Sequence, residues 1–166
     1  MCNENLVMLI DWENIDIHCH KNLDGKPVNL EALLQQARCW GDLRHSIAFS
    51  GFNDQHGNLV KKLHWNSIEP RFTLTKQSGP VTKNAVDIHL SVAAMSIAYA
   101  RFEISGFVIV SGDEGFLPLV RELKLMGKRV FLISPNFKST GKALVQEVDD
   151  FKYYDDLIDD RNNSNQ

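Results

Sequence analysis

Leu6-Val7-Met8-Leu9-Ile10 is an unbroken apolar run closed by Asp11, the pattern of a strand buried on both faces of a sheet. Downstream, apolar positions alternate between helical and strand spacing. Leu30, Leu33, Leu34, Ala37 and Trp40 recur at helical intervals, with Asn29 as N-cap and Gly41 as stop. Residues 46–49 read as a second strand, Leu59, Leu63 and Trp65 mark a short helix, and residues 72–74 are a weaker third strand. A long helix is expected from about 83 to 101. Val86, Leu90, Ala93, Ala94, Ile97 and Ala98 form its stripe, while Ile88, Val92 and Met95 make the other side apolar too, as in a helix buried on most sides. Gly106 opens a fourth strand at 107–110. Leu117, Val120, Leu123 and Leu125 make a helix ending at Gly127, followed by a fifth strand at 129–133 and a last helix over 140–148.

Strands alternating with helices imply a three-layer α/β/α sandwich of Rossmann-like type, with a mostly parallel sheet of about five strands. Ligands in such sheets sit beyond the carboxyl ends of the strands, at the switch point in strand order. The pattern runs to residue 154, giving one domain over 1–154. Residues 155–166 are acidic and poor in apolar side chains, and are expected to fray as a tail.

Length and composition narrow the class. A chain of 166 residues with 43% hydrophobic and 23% charged positions is not a disordered, collagenous or coiled-coil protein. No run has the length of a membrane span, and the first apolar run is too short for a signal peptide. Cys2, Cys19 and Cys39 form no Cys-x-x-Cys pair, which fits a reduced, cytoplasmic chain. His18-Cys19-His20 lacks the fourth ligand of a zinc site and reads as a polar loop after the first strand. The net charge of −3 argues, taken whole, against a partner held by bulk positive charge. By position the balance differs. Asp149, Asp150, Asp155, Asp156, Asp159 and Asp160 concentrate acidity at the end, and the body before them has a slight basic excess.

Candidate chemistry follows from the strand ends. Asp11 directly follows the first strand, and Asp113 follows the fourth after only Ser111 and Gly112. Asp87 lies near the start of the apolar helix. Brought together, these carboxylates would repel one another, a penalty that a divalent cation removes. Oxygen-only ligands suit magnesium or manganese, which polarise phosphoryl oxygens and lower the pKa of bound water. Singly, each residue also has a local reading: Asp113 caps a helix near Gly115, Asp87 sits favourably at a helix N-terminus, and Asn14 forms an Asx turn. No Gly-x-Gly-x-x-Gly follows the first strand, which excludes a dinucleotide cofactor. There is no Walker loop, no Gly-x-Ser-x-Gly elbow and no base beside Cys39.

Ile10-Asp11-Trp12-Glu13-Asn14-Ile15, Lys83-Asn84-Ala85-Val86-Asp87 and Val110-Ser111-Gly112-Asp113-Glu114-Gly115-Phe116-Leu117-Pro118 occur in this order. Together they resemble the NYN domains of the LabA-like group within the PIN-like nuclease superfamily. The resemblance runs from about Leu6 to Tyr154. It implies a PIN fold, a carboxylate cluster holding Mg2+ or Mn2+, and hydrolysis of RNA phosphodiesters. Asp11, Asp87 and Asp113 match the metal-site and catalytic aspartates of that family, and Asn14 its accompanying polar residue. The family pattern Ser-Gly-Asp-x-Asp-Phe has Gly115 at its second aspartate here, and Asn84 stands where glycine is common. That departure supplies the alternative, a catalytically degenerate domain acting as an RNA-binding or regulatory module.

The substrate side follows from the charges. Lys61, Lys62, Arg71, Lys76 and Lys83 stand against Glu69 alone, with His64, Trp65 and Phe72 interleaved. Cations among aromatics suit single-stranded RNA; a solvated helix with Trp65 and Phe72 in the core is the other reading of the same stretch. Lys83 precedes Asp87 by one helical turn and is the first candidate for phosphate contact, with Lys61, Lys62, Arg71, Asn14 and Ser111 as further substrate-binding candidates. No membrane partner is implied, and a homodimer is compatible with the chain.

Overall fold

The computed structural model describes residues 4–78 and 81–164; the side chains of Asp54, 75–78, 81–84 and 160–164 lie outside that description. Strands β1 (Asn5–Asp11), β2 (Asp42–Ser50), β3 (Glu69–Phe72), β6 (Gly106–Val110), β7 (Arg129–Ser134) and β8 (Asp150–Tyr153) form one sheet in the order β3-β2-β1-β6-β7-β8. Every pairing in it is parallel. β4 (Thr75–Ser78) and β5 (Val81–Asn84) make a separate antiparallel hairpin.

Helices cover both faces, as a parallel sheet requires. One face packs Leu6, Met8 and Ile10 of β1 against α1 (Trp12–Asn22), α2 (Leu30–Trp40), α3 (Gly57–Trp65) and α7 (Tyr154–Ser164). The other packs Val7 and Leu9 against α4 (Val86–Ala100), α5 (Leu117–Leu125) and α6 (Lys142–Glu147). The alternation of β1 side chains between the two cores is the period-2 geometry of a strand. Asn29 caps α2 by accepting from Ala32 N–H, as its position before the apolar stripe implies.

The structure departs from the sequence reading in six places. The sheet has a sixth strand, β8, and the third strand ends at Phe72 rather than spanning 72–74. The long helix starts at Val86, because Lys83 and Asn84 belong to β5. Its outer side is open: Ile88 and Val92 are well exposed, so α4 is not buried on most sides. The stretch read as a polar loop is helix α1, in which Ile15, His18 and Cys19 face inward. The acidic segment expected to fray is helical from Tyr154 to Ser164. Tyr154 is buried, and its hydroxyl accepts from Asn29 N–H at 2.7 Å, while Leu157 and Ile158 pack on the same core.

Candidate active site

The strand order reverses between β1 and β6, so the carboxyl ends of these neighbours flank the switch point where a ligand is expected. Asp11 is the last residue of β1 and the N-cap of α1. One of its oxygens accepts from Asn14 N–H at 3.3 Å, and the other from the Ser111 hydroxyl at 3.0 Å. Only 8% of Asp11 is exposed. Burial pushes its pKa to about 6, and the charges of Glu13 and Asp113 push the same way, against the two hydrogen bonds that favour the anion.

The loop after β6 is tied to the loop after β1. Ser111 is fully buried, and its Oγ, besides donating to Asp11, accepts from Asp113 N–H at 3.2 Å. Asn14 Oδ1 accepts from Gly112 N–H at 2.9 Å. Asp113 caps the short turn Glu114–Phe116 through Oδ1, which accepts from Gly115 N–H at 2.8 Å. The local capping reading of Asp113 is therefore correct, Asp11 likewise caps α1, and the fold also ties the Asp11 carboxylate and the Asp113 backbone to one buried serine. A Cβ at Gly115 would lie 3.2 Å from Asp113 Oδ1. A side chain there would project beside the carboxylate.

Glu13 is a participant that motif reasoning passed over. It opens α1, and its Oε1 accepts from the Ser50 hydroxyl at 3.2 Å and from Gly51 N–H at 3.4 Å, at the carboxyl end of β2. Its spacing of two from Asp11 was visible, but only the β1–β2 pairing reveals that Ser50 receives it. Three adjacent strand ends thus converge, and their side chains are acidic or hydroxylic.

The remaining candidates are placed as follows. Asp87 is exposed in the first turn of α4. Among the described residues no three His, Cys, Asp or Glu side chains group closely enough to hold a metal ion, so the expected triad of Asp11, Asp87 and Asp113 is not assembled as such. Ser111, expected to touch substrate, is fully buried, with its hydroxyl donating to Asp11. Lys61 and Lys62 are exposed on α3. Arg71 donates to Glu69 Oε1 from Nε at 3.0 Å and from an η nitrogen at 2.7 Å, and lies over the Phe49 ring. The side chains of Lys76, Lys83 and Asn84 lie outside the described residues. Trp65 and Phe72 are exposed, so neither is a core aromatic. His18 is buried with Nε2 2.6 Å from Asp155, which leaves His18-Cys19-His20 no shared metal position.

The donor set fits a hard divalent cation. Around Asp11 the side-chain groups are carboxylates, hydroxyls and an amide oxygen, and the charges acting on it are negative. A cation would offset the cost of keeping Asp11 ionised in that burial.

The NYN domain family matches residues 5–155. A crystal structure of a protein of unknown function from Vibrio parahaemolyticus superposes with a TM-score of 0.80 at 19% identity, covering 93% of this chain and 95% of that one. At that identity the likeness concerns the fold. No curated protein matches the chain.

Proposed function

The chain belongs to the NYN domain family, whose fold is that of the PIN-like nucleases, and from that membership we propose that it is a divalent-metal-dependent ribonuclease of the LabA-like group, acting on single-stranded RNA in the cytoplasm. The observation that carries the reading is Asp11, a carboxylate buried at the switch point of the sheet and acted on there by the negative charges of Glu13 and Asp113. Asp11 and Asp113 would hold Mg2+ or Mn2+, with Asp87 of α4 as the third carboxylate that the family pattern implies. An ion held there would supply polarisation of a phosphoryl oxygen and a bound water of lowered pKa.

The chain's own residues do the rest. Ser111 and Asn14 fix the Asp11 carboxylate through both of its oxygens, so that its lone pairs point in one direction. Asn14 also clamps the β6 loop, which sets Asp113 relative to Asp11. Lys61, Lys62 and Lys83 meet RNA phosphates. Arg71, already paired with Glu69, contributes less net charge to that surface. Incubating the protein with a fluorescein-labelled single-stranded RNA in magnesium or manganese should give cleavage that a chelator stops. Absence of cleavage in both metals, over a range of RNAs, would overturn the enzyme reading.

Gly115 favours a second reading, an RNA-binding module that has lost turnover. The missing side chain lies beside Asp113, and no three-carboxylate group is formed among the described residues. Gly115→Asp separates the two. On the second reading the variant gains metal-dependent cleavage where the natural chain has none. On the first it raises an existing rate about tenfold or more, by tightening the metal. A variant that binds metal and cleaves no better than the natural chain would show that Gly115 does not limit turnover.

A further inference from the structure

Resting on the reading of this chain as an RNA-cleaving enzyme, we propose that Phe72, braced by Phe52 and His56, is a stacking platform for an unpaired nucleobase of the RNA bound at the carboxylate cleft. Phe72 is the last residue of β3, and it pairs in register with Ser50, whose hydroxyl donates to Glu13 beside Asp11. β3 lies two strands from β1, about 10 Å across the sheet. The ring thus stands on the same sheet edge as the carboxylates and within reach of a neighbouring nucleotide.

Strand alternation places Arg71 toward α4 and Phe72 on the opposite face. There the Phe72 ring meets Phe52 edge-on, with centroids 5.5 Å apart and planes at 75°. Phe52 is itself buried and makes a second edge contact with His56 at 6.1 Å. One side of the Phe72 ring is therefore fixed from beneath, while the residue remains 60% exposed. A held ring with an open face loses little conformational freedom on binding, and a base can stack on it whatever its identity.

The surroundings select RNA over a protein partner. His56 Nδ1 accepts from Asn53 N–H at 3.1 Å, so the neutral ring carries its proton on Nε2 and offers a donor. His56 and Lys62 line one cavity of about 400 Å³ together with Trp12, the residue next to Asp11. Lys62 forms no ion pair among the described residues, and its charge is available to a phosphate. Phe72 lies outside that lining, which also includes Asp16, and connects to it through Phe52 and His56; an aromatic face with a donor and an unpaired cation beyond it match a base and its phosphate. A base inside a duplex has both faces covered by its neighbours, so the platform selects unpaired RNA.

The test measures binding by fluorescence anisotropy, with the full chain held in chelator so that RNA stays intact. The probes are a labelled oligoadenylate and an abasic ribose-phosphate oligomer of the same length. Phe72→Ala should weaken oligoadenylate binding about five- to one-hundredfold and leave binding of the abasic oligomer unchanged. Phe72→Trp should restore it, and Phe72→Leu, which keeps apolar bulk without a flat face, should not. Unchanged oligoadenylate affinity, or an equal loss on both probes, overturns the proposal while RNA binding and cleavage by the natural chain stand. Loss of self-association in sedimentation without loss of RNA affinity assigns the ring to a protein contact and also overturns it. A natural chain that neither binds nor cleaves RNA brings down the enzyme reading itself, and the platform with it.

Discussion

Replacing Asp11 by asparagine is expected to abolish RNA cleavage and, in the metal-free protein, to raise the melting temperature. The two effects share one cause. The fold buries this carboxylate and surrounds it with Glu13 and Asp113, which lifts its pKa from 3.8 to about 6. A carboxyl whose pKa is higher folded than unfolded stabilises the protein in its neutral form. That contribution is complete below pH 4, the unfolded value, and is lost as the pH rises through 6. At neutral pH the ionised group therefore costs the metal-free fold about 2–3 kcal/mol, which asparagine removes. For a chain of this size that corresponds to roughly 4–12 °C.

Wild type and variant should melt together near pH 4 and separate as the pH climbs to 7. Adding manganese should narrow the gap by stabilising the natural chain alone, in proportion to ion concentration over its dissociation constant. Cleavage should fall by about 100-fold or more, as expected when a group acting in the transition state is lost. A variant with full activity, or one that melts lower than the natural chain at every pH, would show that Asp11 is held for structure. Strain of this kind at a functional group is the usual form of the trade between stability and activity.

Gly112→Ala is expected to damage both the fold and the site. A Cβ at this position would lie 2.6 Å from the Ser139 carbonyl oxygen and 3.0 Å from Pro135 Cδ. The closer atom is backbone, so relief requires one loop to move. Gly112 also donates its N–H to Asn14 and accepts from Gly141 N–H at 3.2 Å, so displacement pulls on both sides of the switch point. The cost should be about 1–3 kcal/mol in a denaturant melt. Cleavage should fall by about 100-fold, since a shift of an ångström in a positioned group has that effect. Gly57→Ala is the control. Nothing stands within 4 Å of a Cβ there, at the first residue of α3, and the change should be neutral or stabilising by up to about 1 kcal/mol. Equal stability and activity for Gly112→Ala and the natural chain would show that the β6 loop tolerates movement.

The strands that line the switch point were the most legible elements, because a strand buried on both faces must be apolar at every position. β1, β6 and β7 meet that condition over four or more consecutive residues. Helix α1 was missed because its inward side includes His18 and Cys19 and its sequence is otherwise polar. The available signal was Asp11 three residues before Asn14, an N-cap spacing, with Trp12, Ile15 and Cys19 on one helical side. β8 escaped because it is only four residues long and lies at an edge, where its apolar positions are no more than half-buried. Asp11 and Asp113 were readable as strand-end carboxylates. Their link through Ser111, and the arrival of Glu13 at Ser50, depend on pairings across about 40 to 100 residues that no local pattern encodes.

The strand order has a consequence for how this chain comes off the ribosome. β1 is made first and lies in the middle of the sheet, yet its partner β6 begins at Gly106. Helices α1 and α2 receive their last cover only when Tyr154 reaches Asn29 and Asp155 reaches His18. Throughout synthesis the most apolar strand therefore waits, with one edge open, for residues translated about a hundred codons later. Such an edge is a template for pairing with other nascent chains. From the order of the strands, the growing polypeptide is expected to gain from chaperones that shield extended apolar segments until the whole sheet can close.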